Sequence, residues 1–253
     1  MAIKIRIIPT LLFKEMGLVK GVSFDSWRRV GTAMQAIKVY NLRDVDELVF
    51  LDITATAEGR SPDFDMVDEL ADECFFPFSV GGGITCVEDV RRLLRVGADK
   101  IVLNTAAVER PELISEIAQR FGSQCVVVSI DVRKNEDDTY ETFIHSGKHP
   151  TGQDPVMVAR RSAELGAGEI LITSMDRDGT MMGYDIELTR RVSEAVTIPV
   201  IASGGAGSYE HMAQVLLNGK VSAIAAASIF HFTQQTPLEA KHYLATQGFK
   251  MRL

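Results

Sequence analysis

Several short apolar runs in this sequence carry acidic side chains at their ends, a pattern of groups that can move protons. "FLDIT" carries Asp52, "VVVSID" ends on Asp131, and "TSMDRDG" carries Asp176 and Asp178, while Lys20 follows the first run. If these runs are parallel strands, their carboxyl ends meet at one mouth, where acids can act as general acids and bases. Asp131 follows six largely apolar residues, so burial is expected to raise its pKa. Asp52 and Asp176 fit a helix N-cap or a loop hydrogen bond equally well.

A second pattern is a pair of glycine-rich turns, each at the end of an apolar run. "SVGGGI" contains Gly83, and "IASGGAG" contains Gly204 and Gly205. A hydroxyl, Thr105 or Ser228, follows at the end of the next run in each case. Glycines let backbone N–H groups approach an anion, and neighbouring strand ends of a barrel form a recurrent phosphate site. One such turn serves a tight bend equally well, but the duplicated pattern predicts a ligand with a phosphate at each end.

Eight apolar runs alternate with amphipathic segments, and this alternation predicts the fold. The runs are continuous rather than alternating in polarity, which is typical of parallel strands buried on both faces. Pro111 fits the first turn of a helix over 110–121, and Asp185 fits the N-cap of another. Eight βα units without an obvious linker favour one (β/α)₈ TIM barrel over residues 1–253, rather than an open sheet, with a hairpin inserted at about 133–152 after the fifth strand. The strand candidates are "KIRIIPTLLF", "ELVFLDI", "FPFSVGG", "KIVLN", "QCVVVSID", "EILITSMD", "IPVIASGG" and "SAIAAAS".

The chain also repeats itself at the scale of half a barrel. "DELVFLDITA" followed by "PFSVGGGI" resembles "GEILITSMDR" followed by "PVIASGGAG", which pairs Glu47 with Glu169. Two homologous half-barrels are therefore predicted. The first strands of the halves match as well, and "RIIPTLLFK" against "VVVSIDVRK" places Leu12 opposite Asp131. Because leucine cannot accept a proton, one of two symmetry-related acids is missing.

Composition limits the classes of partner. The chain has 253 residues, of which 46% are hydrophobic and 24% charged, as in an ordinary protein with a large core. A net charge of −7 argues against nucleic acid or an anionic membrane as the main partner. No run is long enough for a membrane span, no signal-peptide pattern is present, and three scattered cysteines predict the reducing cytoplasm. "DRDGT" lacks the further ligands of a calcium loop, so no metal site is predicted.

Specific strings in the sequence resemble one family over essentially the whole chain. "FLDITA", "VGGGI", "LNTAAV", "RFGSQCVVVSID", "GEILITSMDRDGTMMGYD" and "PVIASGGAG" with "AASIFHF" look like the cyclase subunit of imidazole glycerol phosphate synthase. The resemblance implies a barrel lyase of histidine biosynthesis that takes ammonia from a glutaminase subunit in a heterodimer. Such a barrel converts a bisphosphorylated ribulosyl formimino nucleotide into imidazole glycerol phosphate and the aminoimidazole carboxamide ribotide, with no organic cofactor. The sister isomerase shares the duplication, but "RFGSQC" and "SMDRDGT" favour the cyclase.

The resemblance assigns roles by position. Asp131 matches one catalytic aspartate, a general acid, and the family's other catalytic aspartate, a general base, falls at Leu12. Lys20 is a further candidate catalytic group. The first loop, residues 20–34, departs from the family's usual acidic stretch. The positions expected to bind the phosphates and adjoining parts of the substrate are Asp52, Gly83, Asn104, Thr105, Thr173, Asp178, Gly179, Ser203, Gly204, Gly205, Ala227 and Ser228.

The other end of the barrel is expected to carry a ring of four charged side chains. In the family such a ring gates the passage of ammonia into the barrel axis, and the matching positions are all charged here. An ion-pair layer that merely closes the barrel is the alternative, although buried ion pairs are usually poor net contributors to stability. The four positions are Arg6, Glu47, Lys100 and Glu169.

Three functions fit these patterns. The first is a diverged paralogue that channels ammonia to a sugar amidotransferase, slightly favoured because Leu12 replaces an acid. The second is an authentic cyclase of histidine biosynthesis. The third is a noncatalytic phosphate-binding scaffold that activates the glutaminase. All three predict a glutaminase partner and a bisphosphorylated, nucleotide-like small molecule.

Overall fold

A computed structural model of the chain describes residues 4–15 and 17–253. Twelve strands lie in the described residues. They are β1 (Arg6–Lys14), β2 (Gly17–Val22), β3 (Asp25–Gly31), β4 (Leu48–Asp52), β5 (Phe78–Gly81), β6 (Lys100–Leu103), β7 (Val126–Lys134), β8 (Tyr140–Ile144), β9 (His149–Pro150), β10 (Glu169–Ser174), β11 (Val200–Ser203) and β12 (Ala223–Ala226).

Eight of these strands form a closed parallel barrel. They pair in the order β1, β4, β5, β6, β7, β10, β11 and β12, and β12 pairs in parallel with β1. All eight coincide with apolar runs of the sequence. The predicted (β/α)₈ barrel is therefore confirmed, and the carboxyl ends of its strands share one mouth.

The helices lie between the barrel strands, and their ends follow local sequence signals. Asp185 caps α7, where its side chain accepts from the backbone N–H of Leu188 at 3.0 Å, as predicted. Pro111 directly precedes α5 in helical conformation, also as predicted. The helices are α1 (Ala33–Asn41), α2 (Phe64–Ala71), α3 (Val87–Arg95), α4 (Thr105–Glu109), α5 (Glu112–Phe121), α6 (Pro155–Glu164), α7 (Ile186–Ala195), α8 (Tyr209–Gly219), α9 (Ser228–Phe232) and α10 (Pro237–Thr246), with a 3₁₀ turn at Ser123–Cys125. No helix in the described part of the chain is long and apolar enough to cross a membrane.

Two hydrophobic layers bury the strands on both faces. A large cluster fills the space between the outer strand faces and the helices. A smaller cluster plugs the barrel interior and explains why the runs are continuously apolar. Its buried members are Ile8, Val49, Val102, Val127, Leu171, Ile201, Ala223 and Ala225.

Two antiparallel hairpins extend the barrel at its mouth. The segment predicted as a hairpin, 133–152, contains the end of β7 together with β8 and β9, which pair antiparallel. The first loop, residues 20–34, is not a plain loop, because β2 and β3 form a second hairpin on the end of β1. Register shifts interrupt this β2–β3 pairing, so its strand pattern is weak in the sequence.

The two hairpins cross the mouth in a pseudo-two-fold manner. The β2–β3 hairpin follows the first barrel strand, and the N–H of Ser23 at its tip donates to the carbonyl of Asp178, after the sixth strand, at 2.8 Å. The β8–β9 hairpin follows the fifth strand, and Ser146 Oγ donates to the carbonyl of Ile53, after the second strand, at 2.6 Å. Each hairpin therefore spans to the equivalent strand of the opposite half-barrel, in keeping with the predicted duplication.

A buried ion pair ties the last helix to the base of the barrel. Lys241 of α10 is 1% exposed, and its Nζ lies 3.0 Å from Asp46 Oδ1. The other oxygen of Asp46 accepts from the backbone N–H of Ile7 at 2.9 Å. Loss of the lysine would leave the Asp46 carboxylate buried without a compensating charge.

We expect Lys241→Ala to lower the free energy of unfolding by about 3–5 kcal/mol, because an unpaired buried carboxylate is strongly unfavourable. Urea unfolding monitored by circular dichroism measures the change. The control is Lys38→Ala, which removes an exposed ion pair with Glu73 and should change stability by less than about 1 kcal/mol. Equal effects of the two substitutions would contradict the role of burial.

Candidate active site at the barrel mouth

A cavity of about 370 Å³ opens at the carboxyl ends of the strands. The hairpin tips form part of its wall. Asp176, which the sequence also placed at the mouth, lies outside the cavity, where its carboxylate accepts from the backbone N–H of Lys134 at 2.9 Å. All the other residues predicted for the mouth line the cavity. These are Leu12, Lys20, Asp52, Gly83, Asn104, Thr105, Asp131, Thr173, Asp178, Gly179, Ser203, Gly204, Gly205, Ala227 and Ser228.

Asp131 is buried at the end of β7 and faces the cavity. Asn104 Nδ2 donates to Asp131 Oδ2 at 3.3 Å and to the carbonyl of Ser129 at 3.1 Å, so Asn104 orients the carboxyl group. Burial, with the nearby negative charge of Asp178, raises the pKa of Asp131 from 3.8 to about 7, while a hydrogen bond from Thr173 opposes the shift. A carboxyl group that titrates near neutrality is suited to give or take a proton.

Leu12 lies at the equivalent strand end of the first half-barrel. It pairs in register with Leu51 of β4 and with Val19 of β2, and it lines the cavity. The wall at this position is therefore aliphatic. Thr10, two residues earlier on the same strand, faces the cavity with a buried hydroxyl that has no hydrogen-bond partner in the described residues.

Asp52 follows Leu51, and its carboxylate holds its own loop. Its carboxylate accepts from the backbone N–H groups of Thr54 at 3.0 Å and Ala55 at 3.1 Å. Arg60 Nη1 lies 2.8 Å from the second carboxylate oxygen. This is the loop hydrogen-bonding role that the sequence allowed for Asp52, and it leaves the carboxylate ill suited to replace the acid missing at Leu12.

Lys20 and Asp178 form an ion pair across the mouth. Lys20 is 2% exposed, and its Nζ lies 2.5 Å from Asp178 Oδ2. Lys20 thereby fastens the β2–β3 hairpin to the loop after β10. The fourth cavity-lining carboxylate, Glu109, lies 2.8 Å from His145 Nε2.

Of the four carboxylates that line the cavity in the described residues, three have cationic or imidazole partners, and Asp131 has none. Among these four carboxyl groups, Asp131 is therefore the one best suited to transfer a proton. The duplicated barrel has lost its two-fold symmetry at this point, because the residue equivalent to Asp131 is Leu12.

The first glycine turn lies against the Asp52 loop. Gly83 adopts φ +73°, a conformation that side chains disfavour, and a Cβ there would lie 2.5 Å from the carbonyl of Arg60. The Thr105 hydroxyl accepts from the backbone N–H of His145 at 3.0 Å, so the second hairpin covers this turn. The close approach of the Arg60 carbonyl to Gly83 explains why glycine is required at this position.

The second glycine turn repeats this geometry in the other half-barrel. Gly205, which the internal repeat pairs with Gly83, adopts φ +105°, and a Cβ there would clash with the carbonyl of Gly183. Ser228 lies at the end of the neighbouring strand, where its buried Oγ has no hydrogen-bond partner in the described residues. A buried hydroxyl facing a cavity without a partner fits an anionic ligand, which would accept its hydrogen bond.

Three cavity-lining aromatic residues escaped the sequence prediction. Phe24 and Trp27 come from the β2–β3 hairpin, and His145 comes from the β8–β9 hairpin. The internal repeat could have revealed the β2–β3 hairpin. A hairpin predicted after the fifth strand implies a counterpart after the first strand, which matches it in the other half-barrel.

The opposite end of the barrel holds the four predicted charges in a closed ring. Arg6 Nη1 lies 2.6 Å from Glu47 and 3.0 Å from Glu169. Lys100 Nζ lies 2.8 Å from Glu47 and 3.2 Å from Glu169. Cations and carboxylates alternate around the barrel axis, and Ser79 Oγ donates to Glu47 at 2.8 Å.

The fold and the mouth define a duplicated (β/α)₈ barrel with a single unpaired acid between two glycine turns. The family model for histidine biosynthesis proteins matches residues 6–236, nearly the whole chain. This chain belongs to that family of barrel enzymes. The match covers both the cyclase and the isomerase types of barrel, so the choice between them rests on the residues of the site.

Asp131→Asn tests the environment of the acid. Between about pH 4 and pH 7 the wild-type carboxyl is protonated when folded but ionised when unfolded, so wild-type stability falls as pH rises through this window. We expect the stability of Asp131→Asn relative to wild type to increase from pH 5 to pH 8, measured by urea unfolding. The exposed Asp68→Asn serves as control, and a constant difference for Asp131→Asn would contradict a raised pKa.

Proposed function

We propose that this chain is an ammonia-conducting barrel subunit that works with a glutaminase and serves an acceptor other than the ring-closing reaction. In this proposal it is a diverged paralogue of the cyclase, and its ammonia amidinates a sugar with the help of a third protein. The mouth binds a phosphorylated small molecule, and no organic cofactor is needed.

The observation that carries this proposal is the single unpaired acid in the mouth. A cyclisation that divides proton transfers between two acids needs a second group across from Asp131, and that position holds Leu12. Asp52, Asp178 and Glu109 are each held by another side chain. Loss of one proton-transfer group lowers a rate by roughly 10² to 10⁴.

The charge ring supports the ammonia route. Four charges gathered on the barrel axis are costly to bury, and replacement by apolar side chains is often neutral or stabilising. A gate gives them a function that an aliphatic plug could not perform. A purely structural ion-pair layer remains the competing interpretation.

Exposed apolar residues support a partner at the same end of the barrel. Leu42 follows α1 and is 86% exposed, and Phe75 precedes β5 and is 81% exposed. Asn41 links their two loops through bonds to the carbonyl of Glu73 and the N–H of Phe75. Neighbouring exposed apolar side chains are typical of interaction surfaces, and this one lies where a glutaminase would deliver ammonia to the ring.

An authentic cyclase of histidine biosynthesis is the second candidate. It is favoured by the raised pKa of Asp131 and by the two glycine turns, which suit a ligand with two phosphates. In that case water or substrate would have to replace the missing base. A scaffold that only activates the glutaminase is a third candidate, distinguished by an absence of chemistry at the mouth.

The first test supplies excess ammonium salt and the bisphosphorylated nucleotide and measures imidazole glycerol phosphate. We expect little product from the wild-type chain and about 10² to 10⁴ times more from Leu12→Asp, because the substitution restores a proton-transfer group. The control is Val39→Asp, on the outer face of α1. Leu11→Asp is unsuitable because Leu11 is fully buried. Turnover by the wild-type chain near that of an ordinary cyclase would contradict the paralogue proposal.

The second test concerns the ring, with Leu12→Asp as the reporter background and the glutaminase bound. Lys100→Met leaves two carboxylates facing only Arg6, so we expect glutamine-dependent product formation to fall while ammonium-dependent formation is preserved. Arg160→Met, which removes an exposed cation on α6, should change neither rate. A parallel fall in both rates would indicate a structural role and contradict the gate. If Leu12→Asp gives no product, the ring is read instead from glutamine hydrolysis by the bound glutaminase.

A further inference from the structure

The β2–β3 hairpin presents an aromatic wall to the cavity. Trp27 of β3 and Phe24 of the hairpin turn both line it, together with the aliphatic side chains of Leu12 and Leu51. Trp27 and Phe24 are only partly buried, so their surfaces are available to a ligand. The side of the cavity at the end of β1, where Leu12 stands in place of an acid, is therefore largely apolar.

Trp27 packs against the backbone of the neighbouring strand. A Cβ on Gly21 would lie 3.0 Å from Cε3 of the indole ring, so the ring packs directly on the glycine backbone. The strand that carries Gly21 is fastened by the buried Lys20–Asp178 ion pair at 2.5 Å. A preorganised side chain loses little conformational freedom on binding, which favours affinity.

Phe24 is held in place at a conformational cost. Its φ of +62° lies in the left-handed region, which is unusual for a bulky residue. Its ring abuts Gly147 of the opposite hairpin, where a Cβ would lie 2.7 Å from Cδ2 of Phe24. The strained turn thus brings the two hairpins together and completes the aromatic side of the cavity.

The cavity combines this wall with two glycine turns on either side and with one carboxyl group, Asp131, on a different strand. Flat aromatic side chains recognise flat rings by stacking, and the interaction tolerates many ring types. A sugar phosphate would leave the wall without a partner. A ligand that carries both a planar ring and a phosphate would contact the wall and a glycine turn together.

We propose that Trp27 is a specificity-determining residue that stacks on a planar heterocyclic ring, so that the mouth selects ring-bearing sugar phosphates over simple sugar phosphates. This deepens the proposed function, on which it rests for the phosphate-binding mouth. At the end of β1, recognition of a ligand ring has taken the place of proton transfer.

The experiment compares adenosine monophosphate with ribose 5-phosphate, which shares its sugar and phosphate but lacks the planar heterocyclic base. Isothermal titration calorimetry on the full chain gives both affinities, and Trp27, the one tryptophan in the sequence, reports stacking by its fluorescence. We expect adenosine monophosphate to bind at least ~10-fold more tightly and to quench the fluorescence, since base stacking commonly contributes this much. Trp27→Ala should reduce the affinity for adenosine monophosphate to that for ribose 5-phosphate, and Trp27→Phe should keep most of the preference.

The control is Leu217→Ala, which removes an exposed apolar side chain on α8, outside the cavity. It should leave both affinities unchanged. Equal binding of the two ligands to the wild-type chain, or an equal loss of both in Trp27→Ala, would overturn the proposal while leaving the phosphate-binding mouth intact. If neither ligand binds, the phosphate-binding part of the proposed function is overturned as well, whereas the ammonia route is tested separately through Lys100.

Discussion

Closure of the parallel sheet is the constraint on which the rest of the molecule depends. Because β12 pairs with β1 as the other barrel strands pair with one another, all eight strands point in the same direction around one axis. Their carboxyl ends therefore deliver side chains to one mouth, and their amino ends hold the charge ring. The apolar layer inside the barrel separates these two polar ends.

The duplicated barrel keeps its symmetry in backbone and gives it up in chemistry. The glycine turns at Gly83 and Gly205 share left-handed backbone and close backbone packing, and the hairpins cross to equivalent strands. At the first strands the halves differ, because the position equivalent to Asp131 holds Leu12. The β2–β3 hairpin adds Trp27 beside that leucine. Under our proposal the side of the cavity formed by β1 and its hairpin recognises a ligand ring. The fifth barrel strand, β7, retains the titratable acid, Asp131.

The sequence predicts those features that depend on regular patterns. Continuous apolar runs reveal all eight barrel strands, and the internal repeat exposes Leu12 as an anomaly. The β2–β3 hairpin is harder to predict, because its partly exposed strands and shifted register give no clear periodicity. The engagement of Asp52 depends on Arg60, eight residues away, and the Lys20–Asp178 pair joins distant segments. Such contacts arise from tertiary packing, which no local pattern encodes.

The central claim is that ammonia still passes through the barrel while the two-acid ring closure is lost. The most direct measurement follows the amide nitrogen of ¹⁵N-labelled glutamine in the complex with the glutaminase, in the presence of the bisphosphorylated nucleotide. The account predicts that the barrel stimulates glutamine hydrolysis and that the label appears as ammonia, with no significant incorporation into an imidazole ring. Label entering imidazole glycerol phosphate in step with glutamine consumption would contradict the account.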